Sequence, residues 1–275
     1  MSASENHGHD HGLLHDIRIM AAKRAERRHA LKVLGAGGSV LLAGSSGLLM
    51  PRRAAAGNRC VADAVETAGP FPADGTNQSQ GETSDVLTES GVVRKDVRRS
   101  FLSSTTKAKG VNVTIRMTLV NTNAMCTSLP GFVIYLWHCD RDGGYSLYTV
   151  PKESYLRGVQ VADEDGRLEF TTIFPGCYPR RYPHMHLEIF TSLNEATIGT
   201  NAVLTTQLAM PGDICKEVYR AMGYESARKN FADVSLSSDT VFWDDSKQQL
   251  KMMTPEFRGN PADGYKANVR VGIPV

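Results

Sequence analysis

The stretch CYPRRYPHMHLEIF, which runs from Cys177 to Phe190, decides how the rest of this chain is interpreted. Its second half follows a proline and ends in residues that favour strands, so we predict a β-strand over His184–Phe190. Because side chains alternate along a strand, His184 and His186 point to the same face. Two imidazoles on one face can bind one metal ion. Tyr178, behind a Pro-Gly turn, favours a metal site over a pair of surface histidines.

The composition is that of an ordinary soluble globular protein. The 275 residues are 41% hydrophobic and 22% charged, and the formal net charge is +2. This length suffices for one large domain or two small ones. No basic patch interleaved with aromatic residues is present, so the sequence does not favour a nucleic acid as partner.

Residues 1–56 differ from the rest and predict an export signal. Basic residues precede a glycine-rich run that is only moderately apolar, and three alanines at 54–56 offer a cleavage site. Arg27 and Arg28, in ERRHALK, resemble the twin-arginine export motif. We therefore expect a protein of the periplasm, the cell surface or the medium, although an amphipathic N-terminal helix is an alternative. The run is short for a stable membrane span. The His-rich start precedes the proposed cleavage point and is assigned no catalytic role.

Export permits disulfides, and the chain contains five cysteines. An odd number leaves at least one thiol unpaired, and the pairing cannot be deduced from the spacing. Cys126 and Cys139 flank one predicted strand, so we expect them not to pair with each other. One or two bridges and a buried thiol are expected.

The remainder predicts an all-β fold, a β-sandwich of mixed or antiparallel strands with few short helices. Residues 57–109 have the composition of an extended arm with loops, and the sandwich with a C-terminal extension occupies 110–275. The segment VNVTIRMTLVN at 111–121 alternates with a period of two, and GFVIYLWH at 131–138 is typical of a buried strand. Further strands are predicted at 168–174, 203–208, 240–243, 248–253 and 268–273, and helices at 214–222 and 224–231.

A second tyrosine, Tyr145, follows the buried strand in WHCDRDGGYS. Because the pKa of a phenol is about 10, only a strong Lewis acid holds it deprotonated at neutral pH. Two tyrosines together with two histidines therefore point to Fe(III), with a coordination position left for substrate or hydroxide.

With these motifs together, the chain resembles the intradiol ring-cleavage dioxygenases, the group of catechol 1,2-dioxygenase and protocatechuate 3,4-dioxygenase. The resemblance runs from about Glu66 to Leu208. It is strongest in WHCDRDGGYS, in the segment from Tyr155 to His186, and in TTQL at 205–208. Only five residues separate Tyr178 from His184, as in the shorter, exported branch of the family. This spacing leaves the substrate and the oligomeric state open.

The resemblance implies a role for each matching residue. The implied iron ligands are Tyr145, Tyr178, His184 and His186. Arg181 would help the substrate to lose its second proton, and Gln207 would lie near the oxygen site. Tyr178 would leave the metal when a catechol binds and would act as a base. The implied substrates are a catechol-type compound and O2, the product is a muconate-type diacid, and no nicotinamide or flavin is required.

Two other interpretations stay open. His184, His186 and Glu188 share a strand face, as in a cupin-like site for Fe(II), Mn or Zn, although Glu188 is expected to be solvated or paired in a salt bridge. The chain could also be a non-catalytic secreted β-sandwich that binds a carbohydrate or a protein. Such a module has no need of the two tyrosines and the two histidines together.

Three further residues near the motifs are assigned no chemistry. His138 follows an apolar run and is expected to be a hydrogen-bonded core histidine. Arg180 and Tyr182 are expected to form part of the pocket wall.

Overall fold

Eleven strands and three short helices form the part of the chain that the computed structural model describes, residues 60–275. The strands are β1 (Asp74–Ser79), β2 (Glu82–Asp85), β3 (Asn112–Asn121), β4 (Thr127–Ser128), β5 (Val133–Trp137), β6 (Arg157–Val161), β7 (Arg167–Ile173), β8 (His184–Phe190), β9 (Leu204–Ala209), β10 (Glu256–Asn260) and β11 (Gly264–Ile273). The helices are α1 (Gly212–Val218), α2 (Glu225–Ala232) and α3 (Lys247–Met252). The predicted signal, with Arg27 and Arg28, lies outside these residues. Between residues 60 and 275 no helix has the length and apolar character to cross a bilayer.

Two sheets form the sandwich. The four-stranded sheet has the order β6-β5-β8-β9 and is antiparallel throughout. The five-stranded sheet runs β10-β11-β3-β4, and β7 also pairs with β3. Its β11–β3 pair is parallel and its other pairs are antiparallel. This architecture confirms the prediction of a β-sandwich with mixed and antiparallel strands.

Because side chains alternate along a strand, one face of the four-stranded sheet packs in an apolar core between the sheets and the other face packs in a second cluster. Ile115 of β3, Leu136 of β5 and Leu187 of β8 belong to one core between the sheets. Trp137 of β5 points the other way, into a second cluster that includes Tyr145. All seven residues of β8 are consequently buried, although three of them are polar.

A buried arginine fastens the arm, residues 60–109, to this outer face. Arg157 of β6 has no exposed surface. Its Nη1 donates to the carbonyl of Pro72 at 2.8 Å, and its Nη2 donates to that of Phe71 at 2.9 Å. It also donates to Ser146, through Nε to Oγ at 3.0 Å and through Nη2 to the carbonyl at 2.8 Å. One side chain thereby ties the arm to the loop that carries Tyr145.

Two predicted strands are wrong. The chain forms a 3-10 helix over Phe242–Asp244 and helix α3 where strands were expected at 240–243 and 248–253. For helix α3 the physical reason is local capping. Ser246 accepts a hydrogen bond from the backbone N–H of Gln249, and the Gln249 side chain accepts one from the N–H of Ser246. This capping box starts a helix where a strand was expected.

The other predicted strands and both predicted helices are confirmed, with bounds shifted by a few residues. Cys60 forms a disulfide with Cys126, which is 66 positions away, while Cys139, Cys177 and Cys215 are buried thiols. The expected absence of a Cys126–Cys139 bridge is therefore confirmed. A loop of this length corresponds to about 4 kcal/mol of stabilisation in the chain-entropy model.

A buried acid joins the start of the arm to β11. The backbone of Asp63 donates to the carbonyl of Gly272 at 3.0 Å, and its Oδ1 accepts from the Gly272 N–H at 3.3 Å. Its Oδ2 is buried and has no hydrogen-bond partner among residues 60–275. Burial raises the pKa of Asp63 to about 7, although the hydrogen bond from Gly272 opposes that rise.

We expect this acid to make the fold less stable at high pH. Because the pKa in the folded state exceeds the unfolded value of 3.8, the stabilising contribution is complete below that pH and is lost as the pH rises from there through about 7. Asp63→Asn should abolish this loss, and its free energy of unfolding at pH 8 should exceed that of the wild type by on the order of 4 kcal/mol. Urea unfolding between pH 5 and pH 8 measures the difference, with the exposed acid changed in Asp233→Asn as control. Parallel curves for the wild type and Asp63→Asn would contradict the prediction.

Candidate metal centre

Four side chains from three segments converge on the outer face of the four-stranded sheet. His184 and His186 project from β8, Tyr145 comes from the loop after β5, and Tyr178 comes from the loop before β8. The Oη of Tyr145 lies 3.1 Å from Nε2 of His186 and 3.3 Å from Nε2 of His184. The two Nε2 atoms are 3.1 Å apart. The Oη of Tyr178 lies 3.2 Å from Nε2 of His184 and 3.5 Å from Oη of Tyr145.

These separations fit donors arranged around one metal ion. Ligands held at about 2.1 Å from an ion lie roughly 3.0–3.5 Å apart when they subtend angles of about 90–110°. Tyr145, His184 and His186 are at most 2% exposed, so three of the four donors are shielded from water. The four predicted ligands thus form one compact donor set.

The two histidine rings are oriented in different ways. Nδ1 of His184 lies 2.5 Å from the carbonyl of Tyr182 and donates to it, which leaves the lone pair of Nε2 facing the donor set. His186 stacks on Trp137, with ring centroids 4.8 Å apart and an interplanar angle of 6°. Gly69 lies close to the same ring, because a Cβ added there would be 3.3 Å from Cε1 of His186.

Burial holds these groups in their neutral forms. It lowers the pKa of His184 to about 3, with the nearby Arg181 as a further cause, and lowers that of His186 well below the usual value. Neutral imidazole is the form that binds metals. Burial also raises the pKa of Tyr178 to about 12 and that of Tyr145 well above 10. A cation at the centre would reverse this, since an adjacent positive charge favours phenolate.

Tyr178 lies on the side of the donor set that is open to solvent. It is half-buried, in contrast to the other three. A turn follows it, in which Arg180 adopts a left-handed conformation with φ of 69° and the N–H of Arg181 donates to the carbonyl of Tyr178 at 3.3 Å. This turn places the side chains of Tyr178 and Arg181 beside each other.

Arg181 and Gln207 form a hydrogen-bonded chain behind the donor set. Nη2 of Arg181 donates to Oε1 of Gln207 at 2.7 Å, and Nη1 lies 3.5 Å from Oη of Tyr178. Nε2 of Gln207 donates to the carbonyl of Thr67 in the arm at 2.8 Å. Nε of Arg181 donates to Asp239 at 2.9 Å. Sequence reasoning missed both Thr67 and Asp239, and no local pattern around either residue marks it.

Among the described residues, Glu188 is neither solvated nor paired with a cation, contrary to expectation. It is 1% exposed, and burial together with the neighbouring carboxyl of Asp74 raises its pKa well above the usual value. A protonated carboxyl can be buried without a cationic partner, which explains the difference. Within residues 60–275 no cluster of three or more His, Cys, Asp or Glu residues could hold a metal ion. The cupin-like interpretation therefore gains no support.

The remaining residues near the motifs lie apart from the donor set. His138 bonds the carbonyl of Cys139 at 2.8 Å and Oγ1 of Thr172 at 2.7 Å, which confirms a core histidine. Arg180 is exposed. Tyr182 is buried in an apolar cluster rather than lining the metal centre, because its ring packs on Phe231 with centroids 5.6 Å apart.

Comparison with known proteins gives a consistent result. Residues 88–222, about half of the chain, match a family model described as Dioxygenase. A chlorocatechol 1,2-dioxygenase from Rhodococcus opacus is 43% identical over 54 residues, which are 19% of this chain and 21% of that protein. The match thus spans about a fifth of the length of this relative. An intradiol ring-cleavage dioxygenase from Tetranychus urticae has a similar fold, with a TM-score of 0.58, 19% identity, and coverage of 78% of this chain and 96% of the other.

Mutations can distinguish a metal site formed by the four donors from one that includes Glu188. We expect His186→Ala to lower the bound metal per chain at least tenfold, since even the loss of a residue that only orients a metal ligand commonly costs about 10–100-fold in affinity. Glu188→Gln should retain the metal, because Gln reproduces the neutral carboxyl. Elemental analysis of the purified full-length variants measures the content, and melting temperatures control for unfolding. Equal metal loss in a folded Glu188→Gln variant would restore the cupin-like site.

Proposed function

The chain belongs to the intradiol ring-cleavage dioxygenase family, and on this premise we propose that it is a non-haem Fe(III) enzyme acting on a catechol-type substrate. It would cleave the aromatic ring with O2 between the two hydroxylated carbons and form a muconate-type diacid. The observation that carries the proposal is the convergence of Tyr145, Tyr178, His184 and His186, whose donor atoms lie 3.1–3.5 Å apart in five pairs.

The donor set suits ferric iron better than a softer or purely oxygen-bound metal. Two phenols supply hard anionic ligands once deprotonated, and two imidazoles supply nitrogen donors, a mixture that fits iron. Bound there, Fe(III) would supply the Lewis acidity that keeps the phenolates charged and draws the substrate hydroxyl oxygens to the site.

Tyr178 would accept a proton from the substrate. It is the half-buried member of the donor set, so a ligand arriving from the open side reaches it first. Burial raises the pKa of its phenol to about 12 in the absence of a cation, so its phenolate is a strong base when it is released from a positive charge. A general base must lie within hydrogen-bond reach of the proton it takes. The position of Tyr178 at the edge of the donor set meets this condition.

Arg181 would stabilise negative charge on the substrate ring. A guanidinium stays charged at any working pH, and this one is only 8% exposed. Burial alone would lower its pKa, but Tyr178 and Asp239 outweigh that effect and raise it. A fixed charge in a site shielded from water acts on the transition state more strongly than one in water. Loss of Arg181 should therefore lower kcat more than it raises KM.

Gln207 would hold Arg181 in place. Its Oε1 accepts from Arg181, and its Nε2 donates to the carbonyl of Thr67 in the arm. It lies on β9 directly opposite His186 of β8. The arm thus contributes a carbonyl to the orientation of the proposed catalytic cation.

Turnover and the visible absorption spectrum of the iron-loaded protein together test the proposed function. We expect the iron-loaded protein to show a visible charge-transfer band that shifts on addition of catechol, and to consume one O2 per diacid formed. Tyr178→Phe should change the band and lower turnover about a hundredfold or more. Tyr182→Phe is the matched control, because its ring packs against Phe231 away from the donor set. A colourless protein that binds zinc stoichiometrically, or no O2 uptake with a panel of catechols at full iron occupancy, would contradict the proposal.

Export by the twin-arginine route completes the proposal. It is supported by Arg27 and Arg28 ahead of a weakly apolar run, and by the Cys60–Cys126 disulfide, since disulfides persist mainly in oxidising compartments. A cofactor-containing protein benefits from a route that carries folded chains.

Replacement of the arginine pair tests the route. Arg27→Lys combined with Arg28→Lys should leave the full-length precursor in the cytoplasm, because the pathway recognises the guanidinium pair. The same replacement at Arg52 and Arg53, closer to the proposed cleavage point, is the control and should not affect export. Cell fractionation and immunoblotting give the distribution. Normal export of the Arg27, Arg28 double variant would refute this route.

A further inference from the structure

We propose that Asp239 is the positioning residue for Arg181, so that the C-terminal extension completes the site; the inference rests on the function proposed above. Asp239 is fully buried. It lies beyond residues 88–222, the part of the chain that matches the family model. Its carboxylate forms a salt bridge with Arg181, with Nε and Oδ2 2.9 Å apart.

The carboxylate of Asp239 is held from both sides. Its Oδ2 accepts from Nε of Arg181 and from the N–H of Tyr182, the latter at 2.6 Å. Its Oδ1 accepts from the N–H groups of Val241 at 2.8 Å and Phe242 at 3.0 Å. Although burial opposes its charge, the adjacent Arg181 lowers the pKa of Asp239. A carboxylate with four donors of fixed position is a rigid anchor rather than a mobile counter-ion.

Two anchors set the direction of the third nitrogen. Asp239 holds Nε of Arg181, and Gln207 holds Nη2 at 2.7 Å. Because a guanidinium is planar, fixing two of its nitrogens fixes the third. That third nitrogen, Nη1, lies 3.5 Å from Oη of Tyr178 at the edge of the donor set. Without Asp239, Gln207 alone would hold the group, and a buried cation would lose its anionic partner.

The same carboxylate also connects to the metal centre through the backbone. Tyr182, whose N–H donates to Asp239, accepts the Nδ1–H of His184 at its carbonyl. The peptide segment between Arg181 and His184 is therefore held at both ends. Asp239 thus acts on turnover through the orientation of Arg181, whereas its backbone link to His184 bears on metal retention; it does not itself lie among the four donors.

A double-mutant cycle tests whether Asp239 acts through Arg181. We expect Asp239→Asn to lower kcat at least tenfold with KM changed less than threefold at equal iron content; its melting temperature should fall, because buried Arg181 loses its anionic partner, so turnover is compared at a temperature where the variant is folded. If Asp239 works through Arg181, the variant combining Asp239→Asn with Arg181→Ala should be no slower than Arg181→Ala alone. A further loss of tenfold or more in the double variant would overturn the inference. Ser238→Ala, which changes the exposed neighbour, is the matched control and should behave as wild type.

A second measurement does not depend on turnover. In the apo-protein, the Nε–H signal of Arg181 in a nitrogen-15 spectrum, identified by its loss in Arg181→Lys, should exchange slowly with water because Asp239 accepts it. Asp239→Asn should accelerate this exchange at least tenfold. Unchanged exchange would overturn the inference even if catechol turnover is confirmed. A wild-type protein that turns over no catechol but shows the exchange difference would contradict the proposed function alone.

Discussion

The fully buried guanidinium of Arg157 holds together the parts of the molecule on which the site depends. It donates to backbone carbonyls of Phe71 and Pro72 in the arm, to Ser146 beside Tyr145, and to the hydroxyl of Tyr135. A charge without water is costly unless its donors are satisfied, and here neutral oxygens satisfy them. Removing any one of these segments would leave the cation under-bonded. The arm and the Tyr145 loop are therefore coupled to each other through β6.

The arm covers the outer face of the four-stranded sheet, and this cover influences the protonation states of the side chains there. A sandwich buries the inner faces of its two sheets, and the outer faces commonly meet solvent. In this chain the arm crosses the outer face, so β8 is buried on both sides. Burial on that face consequently favours neutral histidines and protonated phenols. The half-buried Tyr178 marks the place where this cover ends.

The four donors lie in one segment of the chain, whereas the residues around Arg181 come from several. The donors come from β8 and from two loops within the segment that matches the family model. Arg181 and its partner Gln207 come from the same segment, whereas Thr67 comes from the arm and Asp239 from the C-terminal extension. Gln207, Thr67 and Asp239 are far apart in the chain and meet only around this guanidinium. The four donors thus come from one stretch of the chain, whereas the residues that hold Arg181 and Gln207 come from distant ones.

The sequence alone determined the features that depend on short-range periodicity and spacing. Alternation over 111–121 predicts one strand, the proline and the β-forming residues at 183–190 predict another, and the residue types of the two tyrosines and two histidines predict a metal donor set. The tertiary structure decided the contacts of Arg157, the anchoring of Arg181 by Asp239, and the Cys60–Cys126 bridge. It also replaced two short predicted strands by helical turns and turned Glu188 into a buried acid. Periodicity reports which face a residue occupies, but a partner tens of positions away is selected by packing, which no local pattern encodes.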